Sequence, residues 1–144
     1  MPIALDAQEL WKCYAAGVRG CSARVWVLRG ATLRVARGER VGVIGARGAG
    51  KTTLLHCLRG LRRPDAGVIH VSPDVQGELL LLDENESVAG VPDDHTRTTI
   101  VAARAAEDLH GLVDRCLLLR GGTLLPIGPP TRARRVAEVR MRGC

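Results

Sequence analysis

The apolar positions of this chain first repeat with the period of strands and then with that of a helix. Arg24 to Leu28 (RVWVL) and Thr32 to Ala36 (TLRVA) read as half-buried strands, the second with Leu33 and Val35 on one face and Thr32 and Arg34 on the other. Gly30 is expected to break the two apart. Residues 3–14 (IALDAQELWKCY) read as a further strand or two of mixed exposure, and Gly17 to Ser22 as a turn. Arg37-Gly38-Glu39 then turns the chain into an apolar strand with Val41, Val43 and Ile44. Two or three antiparallel strands are therefore predicted ahead of residue 41.

The period changes after residue 50. Leu54, Leu55, Leu58 and Leu61 fall on one face of a helix predicted over Lys51 to Leu61. Pro64 to Gly67 is a turn signal and Val68 to Val71 a short strand. Only Ser72 to Gly77 separate it from Glu78 to Glu84 (ELLLLDE), whose run of leucines predicts a strand buried on both faces of a parallel sheet. Thr98 to Ala103 predicts another strand, Arg104 to Leu112 a helix, and Cys116 to Leu119 a strand that turns at Gly121-Gly122 and pairs back through Thr123 to Ile127. Thr131 is positioned to cap a last, basic helix through Met141. Strands separated by helices, with one buried on both faces, predict an α/β fold with a largely parallel sheet flanked by helices and an N-terminal antiparallel β part. The expected organisation is one domain over 1–144: an antiparallel part at 1–40, a core at 41–130 and a basic C-terminal helix at 131–144.

Composition narrows this picture. Hydrophobic residues make up 46% of the 144, which argues against disorder. Aromatics are 2% with no Phe, so Leu, Val, Ile and Ala must build the core. The net charge of +6 admits an anionic partner, but no aromatic-and-basic platform favours nucleic acid. Five cysteines without a C-x-x-C pair suggest neither a disulfide framework nor a zinc site, and fit reduced thiols in the cytosol. No apolar run approaches a membrane span, and Asp6 and Glu9 interrupt any signal-peptide pattern.

The chemistry concentrates at Val41 to Thr53, VGVIGARGAGKTT. Gly45, Ala46, Arg47, Gly48, Ala49, Gly50, Lys51 and Thr52 match G-x-x-x-x-G-K-[ST] without a gap, between a predicted strand and a predicted helix. Successive backbone N–H groups must face one concavity to hold phosphate oxygens, and side chains would block close approach. The helix that opens at Lys51, Thr52 and Thr53 adds unsatisfied N–H groups and the positive end of its dipole. Lys51 is expected to reach the β- and γ-phosphates of ATP and Thr52 to ligate Mg²⁺. Asp83 and Glu84 end the leucine strand, where a carboxylate lies beside such a loop. Asp83 is expected to complete the Mg²⁺ shell, and Glu84 to orient or deprotonate an attacking water.

This order of pieces resembles the nucleotide-binding subunit of ATP-binding-cassette (ABC) proteins, a P-loop NTPase family. LRVARGERVGVIGARGAGKTTLLHCLRGLRRPDAGVIHV resembles its leading strands, Walker A loop, helix and following turn; LLLLDE resembles its Walker B; VDRCLLLRGGTLLPIGPP resembles its closing segment. Tyr14 in LWKCY resembles the aromatic that stacks on adenine, with Trp26 as the rival. The resemblance implies ATP and Mg²⁺ as cofactors, with Asp83 at the metal position and Glu84 at the catalytic-base position. It implies a cytoplasmic protein, peripheral at the membrane's inner face, partnered by a complete ABC subunit or a transporter membrane subunit.

The departures are as informative. Six residues between Val71 and Glu78 cannot hold the family's helical subdomain, and the signature string L-S-G-G-Q does not occur. The Q-loop is missing as a unit, Gln76 being at most a remnant. Ungapped alignment back from Asp114-Arg115 puts Arg104 where the resemblance places the switch histidine. Phosphoryl transfer needs transition-state charge stabilised and water held in line. The expectation is Mg·ATP binding with slow or negligible turnover, an impaired ATPase. Two alternatives stand: a degenerate cassette acting as an interaction partner, and a basic nucleic-acid binder.

Overall fold

The computed structural model describes residues 3–18, 21–75, 78–83, 91, 95 and 97–128. Glu84, Gln76 and the helix expected at 131–144 lie outside them.

Two long strands, β1 (Ile3–Val18) and β2 (Cys21–Ala36), pair antiparallel. Gly30 does not break β2 but bulges it. Leu10 opposes Ala31 while Trp11 opposes Arg29, so Gly30 is the extra residue, with φ 77°. A Cβ there would lie 2.9 Å from the Glu9 carboxylate, which leaves glycine the residue that fits. On the other side of β1 lies β4 (Ala66–Val71), also antiparallel, giving the order β2-β1-β4. The segment expected within the core at 41–130 thus sends one strand into the antiparallel sheet.

Among the described residues the second sheet has five strands. β3 (Arg40–Ile44) sits at its centre, between β6 (Thr99–Ala103) and β7 (Arg115–Arg120), both parallel to it. β5 (Leu80–Leu82) is one edge, parallel to β6, and β8 (Thr123–Gly128) is the other, closing the predicted hairpin with β7. Alternation along the strands sorts side chains to two faces. Val41, Val43, Ile100 and Ala102 join a cluster with Leu5, Leu10 and Leu33 of the antiparallel sheet and with Leu54, Leu55 and Leu58 of the helix α1 (Lys51–Leu58). Ile44, Val101 and Ala103 point the other way, onto Ala106, Leu109 and Val113. The fold is α/β, with a P-loop NTPase sheet and an antiparallel β part.

Three expectations change in detail. α1 stops at Leu58, because Leu61 N–H donates to His56 O (2.9 Å) and Gly60 N–H to Cys57 O (3.1 Å), a helix-closing pair of bonds. The chain then turns outward and leaves Leu61 68% exposed. The helix expected at Arg104 to Leu112 is a 3-10 turn, Ala106–Leu109, in which Ala106 and Leu109, three residues apart, both face the core. The leucine strand is not buried on both faces: Leu80 and Leu81 are half-buried and only Leu82 is buried, since β5 is a sheet edge among the described residues.

Candidate functional site

The glycine loop joins β3 to α1 at the carboxyl end of the parallel strands. Its start is pinned by Gly45 N–H donating to Ala103 O of the neighbouring strand (3.2 Å) and its crown by Ala49 N–H donating to Ala46 O (3.1 Å). Gly50 caps α1 with φ 103°, a left-handed conformation in which a Cβ would lie 2.6 Å from Val27 Cγ1. Only glycine meets both demands at little cost. Gly50 offers no side-chain cap to α1, whose first turn opens at the loop. Ala46, Arg47 and Gly48 are exposed at the rim.

Lys51 is buried, and its ammonium donates to the carbonyls of Gly45 and of Ala46 (2.9 Å). A cation thus sits inside the bend of the loop. One residue on, Thr52 Oγ1 donates to Asp83 Oδ2 at 2.9 Å. The fold brings these two together from 31 residues apart because β5 runs parallel to β6 and ends on the same side of the sheet as β3. A hydroxyl and a carboxylate are hard oxygen donors, the set a Mg²⁺ ion takes. Arg104 follows Ala103 at the same end of the sheet and is exposed. Glu84 lies outside the described residues.

Tyr14 also reaches this region. Its hydroxyl donates to Thr53 Oγ1 (3.3 Å), and its ring carries Lys12 Nζ at 5.6 Å and the Arg62 guanidinium carbon at 5.3 Å from its centroid. Trp26 packs edge-on against Trp11, with centroids 5.5 Å apart.

The opposite end of the sheet carries a network the sequence reading did not find. Asp114 accepts from the Arg40 backbone N–H (2.9 Å) and guanidinium (3.3 Å), and its Oδ1 lies 2.9 Å from His95 Nε2. Beside it Arg115 Nε donates to Glu39 Oε2 at 2.7 Å. Burial alone would push the Asp114 carboxyl up, but the Arg40 N–H, His95 and the Arg40 guanidinium together hold it below the usual aspartate range. Arg40 and Asp114, like Glu39 and Arg115, lie more than seventy residues apart in the chain, beyond the reach of any periodicity. Only the adjacency of Asp114 and Arg115 was visible.

Known proteins resemble this chain in the stretch that carries the loop and in fold. A family model described as "ABC transporter" matches residues 28–91. The lipoprotein-releasing system ATP-binding protein LolD of Legionella pneumophila is 45% identical over 67 residues, 46% of this chain and 28% of that protein. The methionine import ATP-binding protein MetN of Brucella abortus is 48% identical over 58 residues, 40% of this chain and 15% of that protein. The chain thus spans well under a third of the length of the curated relatives it matches. Among solved structures, cbiO1 from Clostridium perfringens, part of the ABC transporter complex cbiONQ, superposes with a TM-score of 0.71 at 16% identity, covering 99% of this chain and 94% of that one. At that identity the likeness is one of fold. Residues 28–91 thus match the ABC transporter family model in sequence, and the chain has the fold of ABC ATP-binding cassettes.

Proposed function

We propose that this chain binds Mg·ATP at the loop from Gly45 to Thr53 and turns it over slowly or not at all. The observation that carries the reading is the Thr52–Asp83 pair at 2.9 Å beside a loop already holding the Lys51 ammonium. In this reading the N–H groups of Gly45 to Thr53, with Ala46, Arg47, Gly48, Ala49 and Gly50 between, hold the phosphates. Lys51 exchanges its loop carbonyls for the β- and γ-phosphates. Thr52 and Asp83 would hold Mg²⁺, which would supply positive charge to offset that of the phosphates. Glu84 follows Asp83 directly and takes the role of the base. Tyr14 supplies the adenine contact, and stacking there displaces Lys12 or Arg62 from the ring.

The absence of the string L-S-G-G-Q and the arginine at position 104 support slow turnover. A site without those groups stabilises the transition state less. Association with a complete ABC subunit or with a transporter's membrane subunit is part of the proposal, supported by the names of the relatives. A peripheral cytoplasmic location belongs with it. Among the described residues no helix is long and apolar enough to cross a membrane.

Calorimetry with Mg·ATP on the wild type, Lys51→Ala and Asp83→Asn tests this, followed by phosphate release on the same samples. Saturable heat lost in Lys51→Ala, with Mg²⁺ dependence lost in Asp83→Asn, is expected. Equal binding by folded Lys51→Ala would sink the reading. Phosphate release that persists in Glu84→Gln would remove Glu84 from its role.

A further inference from the structure

The ring of Tyr14 already has company. The Arg62 guanidinium carbon lies 5.3 Å and the Lys12 ammonium 5.6 Å from its centroid. The fold brings Arg62 there through the turn that follows α1. Arg62 N–H donates to His56 O (3.2 Å), Asp65 N–H donates to Trp11 O (2.7 Å), and Cys13 N–H donates to Asp65 Oδ2 (2.8 Å). The turn is thus stitched to β1 on both sides of Lys12, and the arginine it carries is kept beside Tyr14.

The two cations are not held alike. Lys12 Nζ donates to Arg63 O at 2.9 Å and lies 4.0 Å from an Asp65 carboxylate oxygen, with its side chain only 16% exposed. Arg62 is exposed, and among the described residues its guanidinium has no hydrogen bond or ion pair. An aromatic face attracts a cation and a purine through the same electron-rich surface, and it holds one of them at van der Waals distance. Withdrawing Lys12 breaks a hydrogen bond and an ion pair, and withdrawing Arg62 breaks neither. The guanidinium is the group that yields.

We propose that Arg62 is an internal competitor for the Tyr14 ring and so holds the affinity for base-bearing nucleotides below what the site would otherwise reach. This role rests on the nucleotide reading of the loop and on Tyr14 as its base contact. Its sign is opposite to the ordinary effect of the charge. An arginine near a polyphosphate site strengthens binding by long-range attraction. One that must first leave the ring weakens it, in proportion to the molecules in which the ring is covered. For a cation–π contact at an exposed position the weakening is about two- to fivefold. A polyphosphate without a base escapes it.

Calorimetry on wild type, Arg62→Ala, Tyr14→Leu and the double variant, each titrated with Mg·ATP and with Mg·tripolyphosphate, tests this. Arg62→Ala should bind ATP about two- to fivefold more tightly than wild type, and tripolyphosphate no more tightly. In the Tyr14→Leu background the gain for ATP should vanish, since no ring remains to contest. Arg62→Ala that binds ATP like wild type, or loses affinity for ATP and tripolyphosphate together, overturns the competitor role and leaves the nucleotide reading standing. A gain that persists in Tyr14→Leu overturns it too, because the ring is then not its source. Should wild type and Lys51→Ala both bind neither ligand, the nucleotide reading itself falls and takes this role with it.

Discussion

The two ends of β3 solve opposite problems with the same strands. At the amino end, Arg40, Asp114, Glu39 and Arg115 answer each other's charge, and the bonds also reach the backbone of Arg40. Such a network fixes where β3 and β7 start. At the carboxyl end, the polar groups gather around the loop. The α1 N–H groups lack a side-chain cap, and the Lys51 ammonium rests on carbonyls of its own loop. A polyphosphate is expected to add charge-assisted bonds to that ammonium, and such bonds are the stronger. The contrast separates polar residues that hold a fold from those available to hold something else.

Mutation should split the two ends cleanly. The largest effect is expected in Lys51→Ala: Mg·ATP affinity falls about a hundredfold or more by calorimetry, roughly 2.7 kcal/mol. Asp114→Ala should do the reverse. Losing charge-assisted bonds to Arg40 should lower the unfolding free energy by about 1.5–3 kcal/mol in urea titrations, with ATP affinity unchanged within about twofold. If Asp114→Ala weakened ATP binding tenfold at unaltered stability, the division between the ends would be wrong. A smaller effect is expected from Tyr14→Phe, which removes one half-buried hydroxyl bond to Thr53. Denaturation should register about 0.5–1 kcal/mol. The base contact proposed for the ring should survive, so ATP affinity that collapses in this variant would assign the role to the hydroxyl.

The carboxyl end was legible in the sequence and the amino end was not, for a physical reason. A phosphate loop is local: one run of residues must supply glycines, a lysine and a hydroxyl at fixed spacing, so the string itself shows it. The placement of Asp83 beside the loop was legible because a leucine run ending in a carboxylate is local too, although that strand is a half-buried edge among the described residues. The Glu39–Arg115 and Arg40–Asp114 pairs depend on which strands become neighbours, and the order β5-β6-β3-β7-β8 is set by global packing. The same blindness explains β4, which reads as a short strand yet pairs with β1 about sixty residues before it. Gly30 shows a subtler failure. Glycine in a strand signals either an end or a bulge, and only the register across to Trp11 decides between them.

The smallest predicted effect probes the amino end without removing an atom. Asp114 has a pKa below the ordinary value because Arg40 and His95 outweigh the cost of its burial. In the unfolded chain the carboxyl returns to roughly 4. Between the two values the unfolded state binds more protons, so stability rises with pH there. The contribution is complete above the unfolded value and drains away as pH falls through the folded one. Urea titrations stepped from about pH 5 down to pH 3 should therefore show an acid decline. Part of that decline should vanish in Asp114→Asn, which has no proton to take up, and less of it in His95→Gln, which leaves both Arg40 bonds in place. An acid limb identical in wild type and Asp114→Asn would mean that the carboxyl's partners at this end of β3 do not discriminate charge, and that the network is held by shape alone.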